Sequence, residues 1–343
     1  MPPLWITTPK AIRWFNYCYS LPKVCWPSLR ILAGRRKIGE AGRPLALTCS
    51  ISEDYARLWL YFAQKALPSD RWDFLIVDSV GDMDPAKFEG CHVIRFLNVY
   101  HGKKVDLLLR KALQADIIFL CDDDKYILRD AAETFDAFQT PNTPVISLSP
   151  RNWWKFRIGG REFLPMGSYA LIFKRRLFLE QRLKFESPQG IQSALRVFPP
   201  GVKQHRSYDT ADYANERLLL AGYNVATFPE NDFVLGFDGL SGRRIVLLRY
   251  GKEYAKQTLL EAEHYQEASS NATAVKTFYD IVKFERLYQA VFQTPPTFVS
   301  GFSEDELRWL VNANVRAPKP QKERVFERFA ETEGIYRRLL EIC

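Results

Sequence analysis

Three consecutive aspartates, Asp122, Asp123 and Asp124, follow the apolar run Ile117, Ile118, Phe119, Leu120 and Cys121. Adjacent carboxylates repel one another unless a cation or hydrogen bonds compensate them. A divalent cation such as Mg2+ or Mn2+ favours oxygen ligands, usually one or two from protein and the rest from phosphate and water. Asp122 and Asp124, one residue apart on a loop leaving a strand, meet that demand, and a cation there would stabilise charge on a departing phosphate. The plainer alternative is a turn and helix cap. A second acidic pair, Asp209 and Asp212, stands three residues apart ahead of a helical pattern that stops at Gly222. An acid at the start of a helix can take the proton of an attacking hydroxyl as general base. Either residue also suits a helix start on structural grounds alone, through capping or the helix dipole.

Alternating elements must carry these residues. Residues 44–49 read as a strand, 53–66 as a helix and 72–77 as a strand ending at Asp78. Residues 92–96 read as a third strand, 104–114 as a helix, and 116–121 as a nearly all-apolar strand of the kind buried on both faces of a parallel sheet. After a proline-rich stretch, 167–173 reads as a strand, 207–222 as a helix and 224–228 as a further strand. Such alternation predicts a parallel sheet with crossover helices and a ligand site beyond the carboxyl ends of its strands. Ser50, Asp78 and residues 122–124 then share one rim. Helical spacing dominates 252–267, 272–292, 303–312 and 321–342. The expected organisation is an arm over 1–43, an α/β catalytic domain over 44–244 and a helical extension over 245–343.

The run Asn98, His101, Gly102, Lys103, Lys104, a helix over 105–112, Ala115 and the strand into Asp122 resembles the segment before the DXD motif of GT-A glycosyltransferases, family 2-like. The Thr48, Cys49, Ser50 exit and the Asp78, Ser79 exit are similar to that family's nucleotide-binding edge, and the resemblance covers roughly residues 44–240. It implies a GT-A fold, Rossmann-like, with a mostly parallel central sheet flanked by helices and a helical C-terminal extension. It implies Mn2+ or Mg2+ as cofactor, Asp124 on the metal, Asp122 on the metal or ribose, and Asp123 as the less constrained middle position. Thr48 and Ser50 fall on the nucleotide edge, Asp78 approaches the nucleobase or ribose, and Lys103 or Arg110 approaches the donor, while Lys104 reads as a solvated helix face. Residues 207–213 resemble the acceptor-side acid motif of inverting members, with Asp209 or Asp212 as base. The family's adjacent acidic pair is here replaced by two aspartates three apart. Gly159, Gly160 and residues 165–168 resemble the small-residue loop that admits the donor sugar. Trp153 and Trp154 read as a sugar-stacking platform or as packing residues. Asp232, Asp238 and Ser241 would close over the donor, with Arg243 and Arg244 offering charge for its diphosphate; the late histidine that often completes the metal shell in such folds has no convincing counterpart, and His205, a lone histidine, reads as a structural residue outside the metal set.

Composition sets the outer bounds. At 343 residues, 47% hydrophobic and 14% aromatic, the chain is expected to be ordered. Six scattered cysteines without a CxxC pair read as free thiols of a reducing, cytoplasmic compartment. No apolar run approaches the roughly 20 residues that span a bilayer, so a soluble or peripheral protein is expected. The formal charge of +8 suits a nucleotide diphosphate, an anionic lipid surface, a phosphorylated glycan or nucleic acid. The first 43 residues mix aromatic and basic side chains, as at an anionic membrane interface on the inner face of the membrane, or as a packing arm; their prolines argue against a single clean amphipathic helix. The expected activity is transfer of a sugar from a nucleotide-sugar donor, uridine-based by preference, to a hydroxyl of a glycan or lipid-linked acceptor. The alternatives are a basic nucleic-acid or membrane-binding module on a degenerate transferase fold, or a transferase acting on modified DNA bases. Nucleotidyl transfer would favour a Gly- and Lys-rich N-terminal phosphate loop, which the chain lacks.

Overall fold

Short apolar runs become buried strands because only a central sheet satisfies their backbone groups while covering both faces with side chains. The strands are β1 (Leu45–Ser50), β2 (Asp73–Asp78), β3 (His92–Arg95), β4 (Ile117–Cys121) and β5 (Lys125–Ile127), then β6 (Val145–Ser147), β7 (Lys155–Ile158) and β8 (Arg161–Phe163), and finally β9 (Ala170–Lys174), β10 (Arg196–Val197) and β11 (Val225–Thr227); β5, β7, β8 and β10 lie outside the central sheet, and β7, β8 and β10 are polar and partly exposed. The computed structural model describes residues 9–130, 142–150, 154–187, 194–198, 208–228, 230–237, 239–262 and 272–343. Contacts divide the chain into two compact units, residues 1–234 and 235–343.

The first unit is built on a seven-stranded sheet in the order β11-β6-β9-β4-β1-β2-β3. All its neighbours pair in parallel except at β9, which runs antiparallel to both β4 and β6. The mostly parallel sheet flanked by helices is as expected, but β4 is not flanked by parallel strands on both sides. Alternation along the strands sends Leu45, Leu47, Leu75, Val77, Ile118 and Leu120 into one buried layer. Ala46, Phe74, Ile76, Phe119 and Cys121 enter the other. Each such large apolar side chain contributes about 1.5–3 kcal/mol through burial.

Helix α1 (Pro9–Leu32) packs against β3 and against helix α3 (His101–Lys111). It is a single helix, and Pro22 and Pro27 lie inside it, so the prolines do not break it as the sequence suggested. Helix α2 (Glu53–Ala66) begins where read: the Ser52 hydroxyl accepts the Tyr55 N–H, and Glu53 and Asp54 favour the positive end of the helix dipole. Trp59, Leu60 and Ala63 of α2 cover the second apolar layer. Gly159 and Gly160, expected in a sugar-admitting loop, instead form the two-residue turn of the β7–β8 hairpin, where both take positive φ (57° and 77°).

The second unit is helical: Leu240–Glu261, Ala272–Phe292, Glu304–Ala313 and Lys319–Ile342. The first of these breaks at Gly251 (φ 76°, ψ 173°), so the helix read from residue 252 is its second half. Ser241 and Arg244 sit in its first turns. The unit is pinned by a buried charge network in which Lys283 Nζ meets Glu304 at 2.6 Å and also Glu333, while the buried Asp280 takes Lys276 at 2.5 Å and the Thr332 hydroxyl at 2.6 Å. Among the described residues no helix is long and apolar enough to cross a membrane. Trp153, His205, Ser207 and Asp238 lie outside the described residues.

Candidate active site

Three parallel strands deliver their carboxyl ends to one rim. Ser50 of β1 pairs in register with Asp78 of β2, and Leu47 of β1 pairs with Leu120 of β4. Extending the second register by three residues brings Ser50 beside Asp123, and the Ser50 hydroxyl lies 2.5 Å from Asp123 Oδ2. The single proton of that hydroxyl faces two acceptors, the nearer Asp123 carboxylate and the Ser52 carbonyl at 2.9 Å, while its oxygen accepts the Ser52 N–H at 3.1 Å. Asp123 is therefore not the unconstrained middle of the run: it is buried and fastens β1 to the loop after β4. Asp124 is also nearly enclosed, and Asp122 is the member that faces out, with its side chain 29% exposed. Burial, then the charges of Asp124 and Asp123, push the Asp122 carboxyl well above the usual carboxylate range.

Helix α3 supplies the opposite wall. His101, in its first turn, places Nε2 3.8 Å from Asp122 Oδ1, and this buried ring nitrogen has no hydrogen-bond partner. Burial, assisted by Lys104, pushes the imidazole down to about 4 against the opposing pull of Asp209, so His101 is neutral near pH 7 and the pair is not an ion pair. Lys104 corrects the reading of a solvated face: it is 4% exposed and its ammonium donates to the Ser79 hydroxyl. Burial lowers its pKa, opposed by Cys49, Asp123 and Asp78. Lys103 is exposed in the same helical turn. Arg110 is exposed seven residues further on, about 10 Å along the helix axis, where its charge acts on Asp106. The structure therefore does not bring Arg110 to the rim.

Asp78 and Thr48 are fully buried. The Asp78 carboxylate accepts backbone N–H groups from Val80 (3.0 Å), Gly81 (2.6 Å) and Met83 (3.1 Å), which shapes the loop after β2. Thr48 Oγ1 is a buried atom with no hydrogen-bond partner. Asp78, Thr48 and Ser50 form the floor of the rim rather than its surface.

The acceptor-side acids reach this rim through a chain of contacts that starts on α3. Gly102 is small because a Cβ there would come within 2.7 Å of Glu186 N and the Phe185 carbonyl. One turn later the Asp106 carboxylate accepts the N–H of Phe185 (2.8 Å) and of Glu186 (3.0 Å). The Phe185 carbonyl accepts the Ala211 N–H at 2.9 Å, and the Ser187 hydroxyl donates to the Asp209 carbonyl. The Tyr100 and Thr210 hydroxyls meet at 2.8 Å. Asp209 is thereby set close enough for its charge to act on both Asp122 and His101.

The two acids then part roles. The helix begins at Asp212 and not at 207; Ala211 holds the N-cap position in the left-handed region (φ 71°), unusual for a residue with a Cβ. Asp212 is fully buried and its Oδ2 accepts the Asp209 N–H at 2.7 Å. Asp212 thus uses its carboxylate to close the turn ahead of the helix, while Asp209 is exposed and takes the Thr210 N–H at 2.7 Å.

Two further expectations change. Trp154 is buried against Phe156 (4.7 Å between rings) and under Arg196 (4.2 Å), so it packs a satellite core and offers no sugar platform. Gly167 is wedged against the Ser149 carbonyl, which any Cβ would overlap, and Met166 N–H donates to the buried Asn215 side chain at 2.6 Å; this segment is tightly packed. Sequence reasoning overlooked His101 as a neighbour of Asp122 and missed the 185–187 segment that holds Asp209.

Among the described residues no three His, Cys, Asp or Glu side chains converge as a closed metal cage. A magnesium or manganese ion bound with a nucleotide needs only one or two protein carboxylates, and the crowded Asp122 to Asp124 run offers oxygen donors whose mutual repulsion such an ion would relieve.

No protein-family model and no curated protein matches the sequence. Among solved structures, the chain is similar to the mannosyltransferase PcManGT of Pyrobaculum calidifontis, solved in complex with GDP-Man and Mn2+, with a TM-score of 0.41 and 12% identity over 93% of this chain and 87% of that one. It is similar to S. aureus TarS 1-349 in complex with UDP-GlcNAc, with a TM-score of 0.38 and 12% identity over 88% and 91% of the two chains. It is also similar to a putative glucose-1-phosphate thymidylyltransferase from Bacillus anthracis, with a TM-score of 0.38 and 10% identity over 60% and 94%.

Proposed function

We propose that this chain is a metal-dependent glycosyltransferase that moves a sugar from a nucleoside diphosphate donor to a hydroxyl of a glycan or lipid-linked acceptor. The observation that carries the reading is the convergence of Asp122, at the carboxyl end of β4, with a neutral His101 and with Asp209, three residues far apart in sequence. Asp122 and Asp124 would hold Mn2+ or Mg2+, and the ion, when bound, neutralises charge on the departing diphosphate.

The chain's own groups divide the remaining work. Asp209, exposed on the rim, takes the proton of the acceptor hydroxyl as that hydroxyl's oxygen forms the new bond to the sugar's anomeric carbon. The bond from that carbon to the diphosphate oxygen breaks, and the nucleoside diphosphate leaves. Asp212 fixes the turn that presents Asp209. His101, uncharged, adds no positive charge to compete with a cation at Asp122.

A panel of nucleotide sugars, assayed with and without Mn2+ for thermal stabilisation and donor hydrolysis, tests the proposal. We expect metal-dependent binding that Asp124→Ala abolishes, and free nucleoside diphosphate as product. Pyrophosphate as product would assign nucleotidyl transfer instead, and metal-independent binding unaffected by Asp124→Ala would leave a binding module on this fold.

A further inference from the structure

Helix α1 has two faces with different fates. Ser20, Val24, Ser28 and Ile31 are buried, the face on which the helix packs against β3 and α3. On the far side, at about 100° per residue, Tyr19, Pro22, Trp26, Leu29 and Arg30 fall within one arc, and all five are exposed. Trp26 is 69% and Leu29 50% exposed. An exposed stripe of this kind at the edge of a folded unit marks an interaction surface.

Charge identifies the partner. Residues 1–39 carry Lys10, Arg13, Lys23, Arg30, Arg35, Arg36 and Lys37 and no aspartate or glutamate, a net of +7 out of the chain's +8. Removing those seven from the 48 Lys and Arg leaves 41 against 40 Asp and Glu, so the remainder of the protein is close to neutral. Arg30, Arg35, Arg36 and Lys37 are exposed at and just beyond the carboxyl end of the helix. Lys23 is held by Asp82 and lies over the Tyr19 ring at 4.4 Å, which ties the helix to the loop after β2.

We infer that this face of α1 docks on an anionic lipid membrane, with Trp26 and Leu29 at headgroup level and the arginines and Lys37 against lipid phosphate. A tryptophan beside a leucine and flanked by cations suits the boundary between acyl chains and headgroups. A second copy of the chain would bring two like-charged stripes together, and nucleic acid would gain nothing from an exposed leucine and proline. The helix lies on the surface and does not span it, because its 24 residues are long enough but not apolar enough to cross a bilayer. This inference does not rest on the transfer reading.

Sedimentation of the full chain with vesicles of about equal phosphatidylglycerol and phosphatidylcholine, against vesicles of phosphatidylcholine alone, tests it. Binding is expected on the anionic vesicles only, weakened by roughly 0.5 M NaCl. Trp26→Glu with Leu29→Glu, and separately Arg30→Glu with Arg35→Glu, should each lower the partition coefficient by about tenfold or more. An unchanged thermal transition in these surface variants shows that folding is intact. Absence of sedimentation, equal binding to both vesicle types, binding unchanged by both variants, or a concentration-dependent dimer that Trp26→Glu with Leu29→Glu abolishes would each overturn the inference.

Discussion

Asp209 and Asp212 sit three residues apart, yet exchanging each for asparagine should damage the protein in different ways. Asp212 is fully buried and its Oδ2 takes the Asp209 N–H at 2.7 Å. In Asp212→Asn the amide oxygen still accepts that N–H, but a charge-assisted bond about twice as strong as a neutral one is lost at a helix start, costing about 1 kcal/mol. Asp212→Ala removes the acceptor altogether and should cost about 1–3 kcal/mol. Asp209 is exposed, so Asp209→Asn should stay within about 0.5 kcal/mol of the parent, since the Thr210 N–H keeps an oxygen to donate to. Removing a general base slows turnover by about 100- to 10,000-fold. The assay pairs urea denaturation with release of nucleoside diphosphate in the presence of acceptor. The expected pattern is a stable, inactive Asp209→Asn and a less stable Asp212→Asn that retains turnover where folded. An active Asp209→Asn, or an inactive Asp212→Asn of parental stability, would refute the division of roles.

Four other outcomes follow from the same structure. Asp122→Asn should raise the Tm of the metal-free protein near neutral pH and erase stabilisation by Mn2+. The folded-state carboxyl titrates above its unfolded value of about 3.9, so its penalty is absent below that value and grows as pH rises through the raised one; the gain from asparagine should accordingly vanish near pH 4, as a pH series of thermal melts would reveal. His101 acts in the opposite sense: with a folded value of about 4 against about 6.5 unfolded, its contribution to stability is intact above about 6.5 and lost as pH falls toward 4, a limb that His101→Gln should flatten. Lys104→Met should cost only about 1 kcal/mol, the hydrogen bond to Ser79, because burial outweighs the attraction of Asp123 and Asp78 for this ammonium; a loss beyond about 3 kcal/mol in urea denaturation would contradict that balance. Gly167→Ala should destabilise by about 1–3 kcal/mol or more, since its Cβ overlaps the Ser149 carbonyl, whereas a Cβ at Gly334 meets nothing within 4 Å and Gly334→Ala should stabilise slightly.

Elements whose pattern is local were legible in the sequence. Residues 53–66 and 272–292 form helices over the ranges read, the first because Ser52 caps it and two acids follow. The rim of Ser50, Asp78 and Asp122 followed from alternation and a parallel sheet alone. What escaped is non-local. The antiparallel β9 and the short β6 depend on pairing partners that a three- to five-residue run cannot declare. The meeting of Asp209 with His101 passes through Phe185 and Ser187, polar links of backbone and hydroxyl without a sequence signature. Lys104 was legible in principle: it stands four residues before Leu108 and eight before Ala112, on the apolar stripe of α3, and its charge masked that position.

The first two turns of α3 carry an implication for length variation. Gly102 and Asp106 hold the 185–187 segment from one face of the helix, and His101 and Lys104 reach the site from the same two turns. A residue inserted between 102 and 106 would rotate one half of this set by about 100° against the other, so that no single side-chain repair could restore both the segment and the rim. The stretch between Phe96 and Tyr100 has no helical phase to keep. Natural or designed variants should therefore tolerate insertions before His101 and exclude them from the turn that follows.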